Sequence, residues 1–249
     1  FETTNSLKGR LESKISRGSC TREFLERNFK GSDFPDTVYV TSNPLVNHQV
    51  PNSFREIISV WDEGWNDEYG TVLPQTMYKF SVQASRENRD KRLIFHFIQP
   101  HFPFIGDWAR EQIGDHAGIE WSRDLALGDL DSGSRGQLIW KKLERGEVGR
   151  EQVWKAYLEN LQLTYPWVDR LIEELEGKTV ITSDHGNLFG ERVPPFYFKE
   201  YGHPPKVYVN NLLKVPWLTV NGERRKDIVD ESGNLKETLR KRSNRIRLR

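Results

Sequence analysis

The sequence predicts an α/β fold in three layers, a mostly parallel sheet with helices on both faces. Three observations carry this. Strand-like and helix-like segments alternate along the chain, the pattern of parallel βαβ crossovers. Several strand segments are apolar on both faces, as strands covered by helices on each side are. The chain has 249 residues, enough to bury a full core in one large α/β domain.

In order, the strand signals are the β-branched or apolar runs 37–41, 56–61, 92–98, 178–183 and 215–220. Helical spacing covers 21–29, with Phe24, Leu25, Asn28 and Phe29 three to four apart. It covers 74–89, where Pro74 suits a first turn. It covers 150–176, where Val153, Tyr157, Leu161, Thr164, Val168, Leu171, Ile172 and Leu175 recur on one face. Gly177 is a natural C-terminal stop, and Pro166 predicts a kink or a split. Residues 106–150 are polar and poorly periodic, and read as a surface insertion or loop. The expected organisation is one domain over 1–225 and a basic helix or tail over 226–249, whose last ten residues hold six cations. The chain opens on Phe1, and the expectation is a domain whose first strand lies upstream of it.

Composition excludes several classes of function. Lys plus Arg total 37 against 36 Asp plus Glu, a net charge of +1, which argues against a dedicated nucleic-acid binder. Hydrophobic residues at 36% and charged residues at 29% exclude a wholly disordered chain. No apolar run reaches the roughly 18–20 residues of a membrane helix. The single cysteine, Cys20, excludes an internal disulfide and a multi-cysteine metal knuckle. No signal peptide is visible, and the compartment stays open.

Chemistry concentrates in three patches. In 181–187, Ile-Thr-Ser-Asp-His-Gly-Asn, a buried strand ends in Asp184, His185 and Gly186. Ligands of parallel sheets bind beyond the carboxyl ends of strands. A carboxylate beside an imidazole offers one oxygen and one nitrogen to Zn²⁺ or Mn²⁺, and Gly186 permits the tight turn. The alternative is an Asp that caps the next turn and a His that packs. In 96–104, His101 follows a strand within a Pro- and Phe-rich turn; it is either structural or a group that binds substrate and protonates a leaving oxygen. In 16–25, Ser19 and Thr21 stand at a helix start, where an oxygen nucleophile for an ester would face helix amides. The alternative for both is an N-cap. His48, His96 and His116 have weaker cases, and His96 reads as packed inside its strand.

Asp184-His185-Gly186 after a strand, then Gly202-His203, then Val215-Pro216 before a last apolar strand, resembles the alkaline phosphatase/sulfatase superfamily. The order of segments is similar over residues 15–220. Within that superfamily the motifs are nearest to phosphoethanolamine transferases and lipoteichoic acid synthases. The resemblance implies an alkaline-phosphatase-like fold and a divalent metal, Zn or Mn, with Ca or Mg as alternatives. It implies metal ligation by Asp184, His185, Ser19 and His203, and substrate binding by His101 and His203. The spacing to Glu23-Phe24 is similar to the nucleophile segment of lipoteichoic acid synthases and points to Ser19, with Thr21 as the alternative. Gln99 stands where two-metal members carry an acid, which favours one strong metal site. The Cys/Ser-x-Pro-x-Arg context of sulfatase modification is missing around Cys20.

The expected activity is hydrolysis or transfer of a phosphate ester or phosphodiester, on a small-molecule or lipid- or glycan-linked substrate. A sulfate-ester hydrolase is the alternative within the enzymes. An inactive relative that binds an anionic ligand or partner is the alternative of another class. The superfamily's first strand supplies a further metal carboxylate, and nothing in 1–18 matches it.

Overall fold

The computed structural model describes residues 7–114, 123–124, 139–222 and 224–229, which form a mixed α/β fold. Strand β1 (Arg10–Ile15) and helix α1 (Thr21–Asn28) come first. Then follow β2 (Phe34–Thr41), α2 (Leu45–Gln49), β3 (Phe54–Ser59) and α3 (Val60–Glu63). The short pair β4 (Trp65–Asn66) and β5 (Thr71–Val72) leads to α4 (Pro74–Glu87) and β6 (Arg92–His96). Helices α5 (Asp107–Ile113), α6 (Ile139–Glu144) and α7 (Arg150–Glu174) are next. Strand β7 (Thr179–Thr182), the hairpin β8 (Leu188–Val193) and β9 (Phe198–Gly202), α8 (Asn210–Leu213) and β10 (Lys214–Val220) complete the order.

The strands do not join into one mostly parallel sheet. One three-stranded sheet, β3-β2-β6, is parallel throughout; a second, β1-β10-β7, is antiparallel throughout. The expected strands at 178–183 and 215–220 are β7 and β10 of the antiparallel sheet; β1 escapes a sequence reading because all six of its residues are exposed, so no apolar run marks it.

The parallel sheet does carry helices on both faces. Val38 and Val40 of β2 face one cluster with Met77 and Ala84 of α4 and Val60 and Trp61 of α3. Tyr39, between them, faces the other cluster with Leu25 of α1 and Val46 of α2. Alternation in a strand sends neighbours to opposite faces, and all three of these β2 side chains are buried. Each full burial of such a side chain stabilises by about 1.5–3 kcal/mol.

Two expectations change. Helix α7 runs through Pro166 as one 25-residue element; Pro166 removes one internal bond, but the packing of α7 against α4 and α5 holds the helix together. The segment 106–150 is not merely a loop, since its described ends are α5 and α6. Ala109, Ile113, Ile139, Trp140 and Leu143 from these helices build a core cluster with Phe102, Phe104, Val153 and Ala156. His116, with the rest of 115–122, residues 125–138 and the basic run over 240–249 lie outside the described residues. Among the described residues, no helix is long and apolar enough to cross a membrane.

Candidate active site

Each residue that converges on the candidate site comes from the end of an element. Asp184 and His185 lie just beyond β7. Their turn is seated by close approach of α8: Gly186 donates its N–H to Leu212 O at 2.8 Å. A Cβ on Gly186 would stand 2.0 Å from Asn211 O. Its φ is not left-handed, so glycine is needed here for space and not for backbone freedom. Gly186→Ala should therefore cost about 1–3 kcal/mol, as overpacking does. Thermal unfolding checks this, at about 2–4 °C for each kcal/mol in a chain of this size; an unchanged Tm would contradict the close approach.

His185 is buried, and its Nδ1 lies 2.7 Å from Gly186 O. A carbonyl can only accept, so Nδ1 carries a proton, and in the neutral ring Nε2 keeps a lone pair. That lone pair faces Thr21 Oγ1 at 3.3 Å and Asp184 Oδ2 at 3.5 Å. Thr21 opens α1 and donates its hydroxyl to Asp184 Oδ2 at 2.6 Å, the short length of a bond to an ionised acceptor. Asp184 Oδ1 takes the N–H of His185 at 2.9 Å, and Ser16 at the end of β1 bonds the Asp184 carbonyl. Burial pulls the Asp184 carboxyl up. The imidazoles of His185 and His96, the Thr21 hydroxyl and His203 outweigh that and hold it at about 2.

His101, beyond β6, and His203, beyond β9, meet with their Nε2 atoms 3.1 Å apart. The His203 ring centre is 4.5 Å from that of His185. His101 Nδ1 lies 2.5 Å from Phe102 O and carries a proton for the same reason as His185. Burial pushes His101 down to about 4. Burial and the imidazoles of His185 and His101 hold His203 well below the ordinary histidine range. Both rings are thus neutral near pH 7, and the proton between their Nε2 atoms belongs to His203.

Ser19 is not brought to this point. Its side chain is fully buried, with Oγ 3.0 Å from Glu23 Oε2 and 3.0 Å from Pro204 O. The N-cap of α1 is Cys20, which makes no side-chain capping bond, so capping explains neither Ser19 nor Thr21. Burial pushes the Cys20 thiol up. The expected residues that do come together are Thr21, Asp184, His185, His101 and His203. Gln99 is buried and bonds Val72 O at 3.1 Å, and Asn43 folds back to accept the Leu45 N–H.

Residues that sequence reasoning missed hold this arrangement. Glu23 is buried and accepts four bonds: Ser19 N and Oγ on one oxygen, Lys206 N and the Tyr208 hydroxyl on the other. It ties α1 to the loop that follows His203. Burial pulls the Glu23 carboxyl up, but these donors outweigh it and leave it below the usual carboxylate range. Asn160 of α7, fully buried, donates to His101 O and Pro103 O and accepts from Ile105 N. The Tyr39 hydroxyl meets His96 Nδ1 at 3.0 Å, so His96 is partnered as well as packed. Asn187 donates to the Tyr157 hydroxyl at 2.6 Å, whose pKa burial and Asp184 push up. Only polar residues inside otherwise apolar stretches, such as Asn160, gave any sign of this.

The donor chemistry suits a divalent cation in kind. A carboxylate oxygen, an imidazole nitrogen and a hydroxyl oxygen, donor types that Zn²⁺ or Mn²⁺ accepts, lie 2.6, 3.3 and 3.5 Å from one another, the shortest of these being the Thr21–Asp184 hydrogen bond. The protein supplies two metal-type side chains there. Among the described residues, no group of three or more His, Cys, Asp or Glu is arranged to hold an ion. No family model and no curated protein matches the chain.

Proposed function

We propose that the chain is a metal-dependent hydrolase or transferase of phosphate esters or phosphodiesters, with Thr21 as its nucleophile. One observation carries this reading. The Thr21 hydroxyl, at a helix start, is held 2.6 Å from Asp184 Oδ2 and 3.3 Å from the free Nε2 of His185. The reading agrees with the resemblance to the alkaline phosphatase/sulfatase superfamily and moves the nucleophile from Ser19 to the alternative, Thr21. It also takes the two sheets as parts of one three-layer arrangement. Supporting this, the ends of β6 and β7 both deliver histidines to the same point.

A carboxylate near 2 is a weak base, so Asp184 orients the hydroxyl and does not strip it. A divalent ion, Zn²⁺ or Mn²⁺ by donor type with Ca²⁺ or Mg²⁺ as alternatives, would be held by Asp184 and His185 and supplies positive charge that acidifies a hydroxyl and neutralises a phosphoryl group. Thr21 Oγ1 gives up its proton to solvent and attacks phosphorus in line, its bond to phosphorus forming as the ester P–O bond breaks. The proton between His203 and His101 serves the departing oxygen or binds a non-bridging one. Water or an acceptor alcohol then attacks phosphorus, its O–P bond forming as the Thr21 Oγ1–P bond breaks, so that phosphate or a new ester leaves and the Thr21 hydroxyl is restored.

Metal analysis and turnover test this together. The purified chain should retain about one divalent ion and cleave an aryl phosphate in preference to an aryl sulfate, with activity lost to a chelator and restored by metal. A preference for sulfate would give the sulfatase reading. Phosphate binding without metal or turnover would give the inactive relative.

A further inference from the structure

The β8–β9 hairpin starts just beyond His185 and returns at His203, and its outer end bears an aromatic tip with no role in the site. Phe196, Tyr197 and Phe198 are 75%, 58% and 68% exposed. Single exposed apolar residues are ordinary, but three in sequence are not. The tip is built to hold them out. Tyr197 sits at a left-handed φ of 55°, costly for a bulky residue. Its N–H donates to Val193 O at 2.8 Å, and its carbonyl accepts from Arg192 Nη1 at 2.9 Å. The Phe196 and Phe198 rings lie side by side, their centres 6.0 Å apart.

One rung behind the tip, Arg192 and Lys199 are direct cross-strand partners, and both are exposed. Like charges opposed in this way are destabilising. Among the described residues neither has an ion-pair partner. The next rung carries Glu191 and Glu200 on the opposite face, and Glu191 is paired with Arg150 at 2.9 Å. The cation pair is thus left to meet an external anion.

We infer that this hairpin tip docks on an anionic lipid surface, with the aromatic rings in the headgroup–acyl boundary and Arg192 and Lys199 at the phosphates. Aromatic residues favour that boundary, and cations behind them reach the headgroups. The area favours lipid over a protein partner. Three rings about two-thirds exposed present roughly 400 Å², half of the about 800 Å² a stable protein interface takes from each side. A bilayer needs no matched surface. The inference does not depend on the chemistry at Thr21.

Co-sedimentation with vesicles tests it. The chain should bind vesicles of equimolar phosphatidylglycerol and phosphatidylcholine more strongly than pure phosphatidylcholine. The double variant Phe196→Ser/Phe198→Ser should lower partitioning about tenfold or more, with Tm and any aryl-phosphate turnover unchanged. Tyr197 is kept because its backbone closes the turn. Lys199→Glu should abolish the preference for anionic vesicles. Failure of the wild type to bind anionic vesicles would overturn the inference, as would undiminished binding by the double variant. So would a wild-type dimer that the double variant converts to monomer without vesicle binding, which would mark the tip as a protein contact.

Discussion

Thr21→Ala should lower aryl-phosphate turnover on the order of a thousandfold or more, the scale on which loss of a nucleophile acts. Ser19→Ala should leave turnover within a few-fold. The two hydroxyls are two residues apart, yet their surroundings differ. Thr21 Oγ1 donates to Asp184 Oδ2 and faces the His185 lone pair. Ser19 Oγ lies against Glu23 and the Pro204 carbonyl. Losing the Ser19 hydroxyl removes one buried bond, a stability cost of about 1–3 kcal/mol since Glu23 keeps its other donors. Thr21→Ser keeps an oxygen at the site and should retain much of the activity. Turnover that survives Thr21→Ala and disappears with Ser19→Ala would return the nucleophile to Ser19. Circular dichroism of both variants separates lost chemistry from lost folding.

Glu23→Ala should destabilise the chain by about 2–4 kcal/mol, because four buried donors lose one acceptor together. Denaturant unfolding measures it, with a lower midpoint and an unchanged slope. Glu23→Gln fills the same space but presents an amide N–H₂ to two of those donors, so it should fall between the wild type and the alanine variant. The loop after His203 hangs on this carboxylate through Lys206 and Tyr208. Glu23→Gln should therefore also weaken inorganic phosphate binding, if His203 contacts the anion. Wild-type stability in Glu23→Ala would mean that the carboxylate does not hold α1 to that loop.

Much of the local structure was legible because its causes are local. The apolar run at Val38-Tyr39-Val40 marks β2, and it is buried on both faces. The spacing from Val153 to Leu171 marks α7 within two residues of its observed end. Asp184-His185-Gly186 after an apolar strand marked the residues that Thr21, also among the candidates, meets in the structure. The sheet arrangement was less legible: β1 and the hairpin are polar or mixed in pattern, and β1 pairs with β10, about 200 residues along the chain.

The sequence by itself determined the apolar strands and the longer helices, and which residue types can carry the chemistry, since propensity and apolar spacing act over a few neighbours. Only the tertiary structure decided that Thr21, and not Ser19, faces Asp184, 163 residues away. It alone decided that Glu23 anchors the loop after His203 and that three aromatic rings stand out at a hairpin tip. Each of these depends on which distant surfaces meet, and that is set by packing the whole core and not by any single stretch of residues.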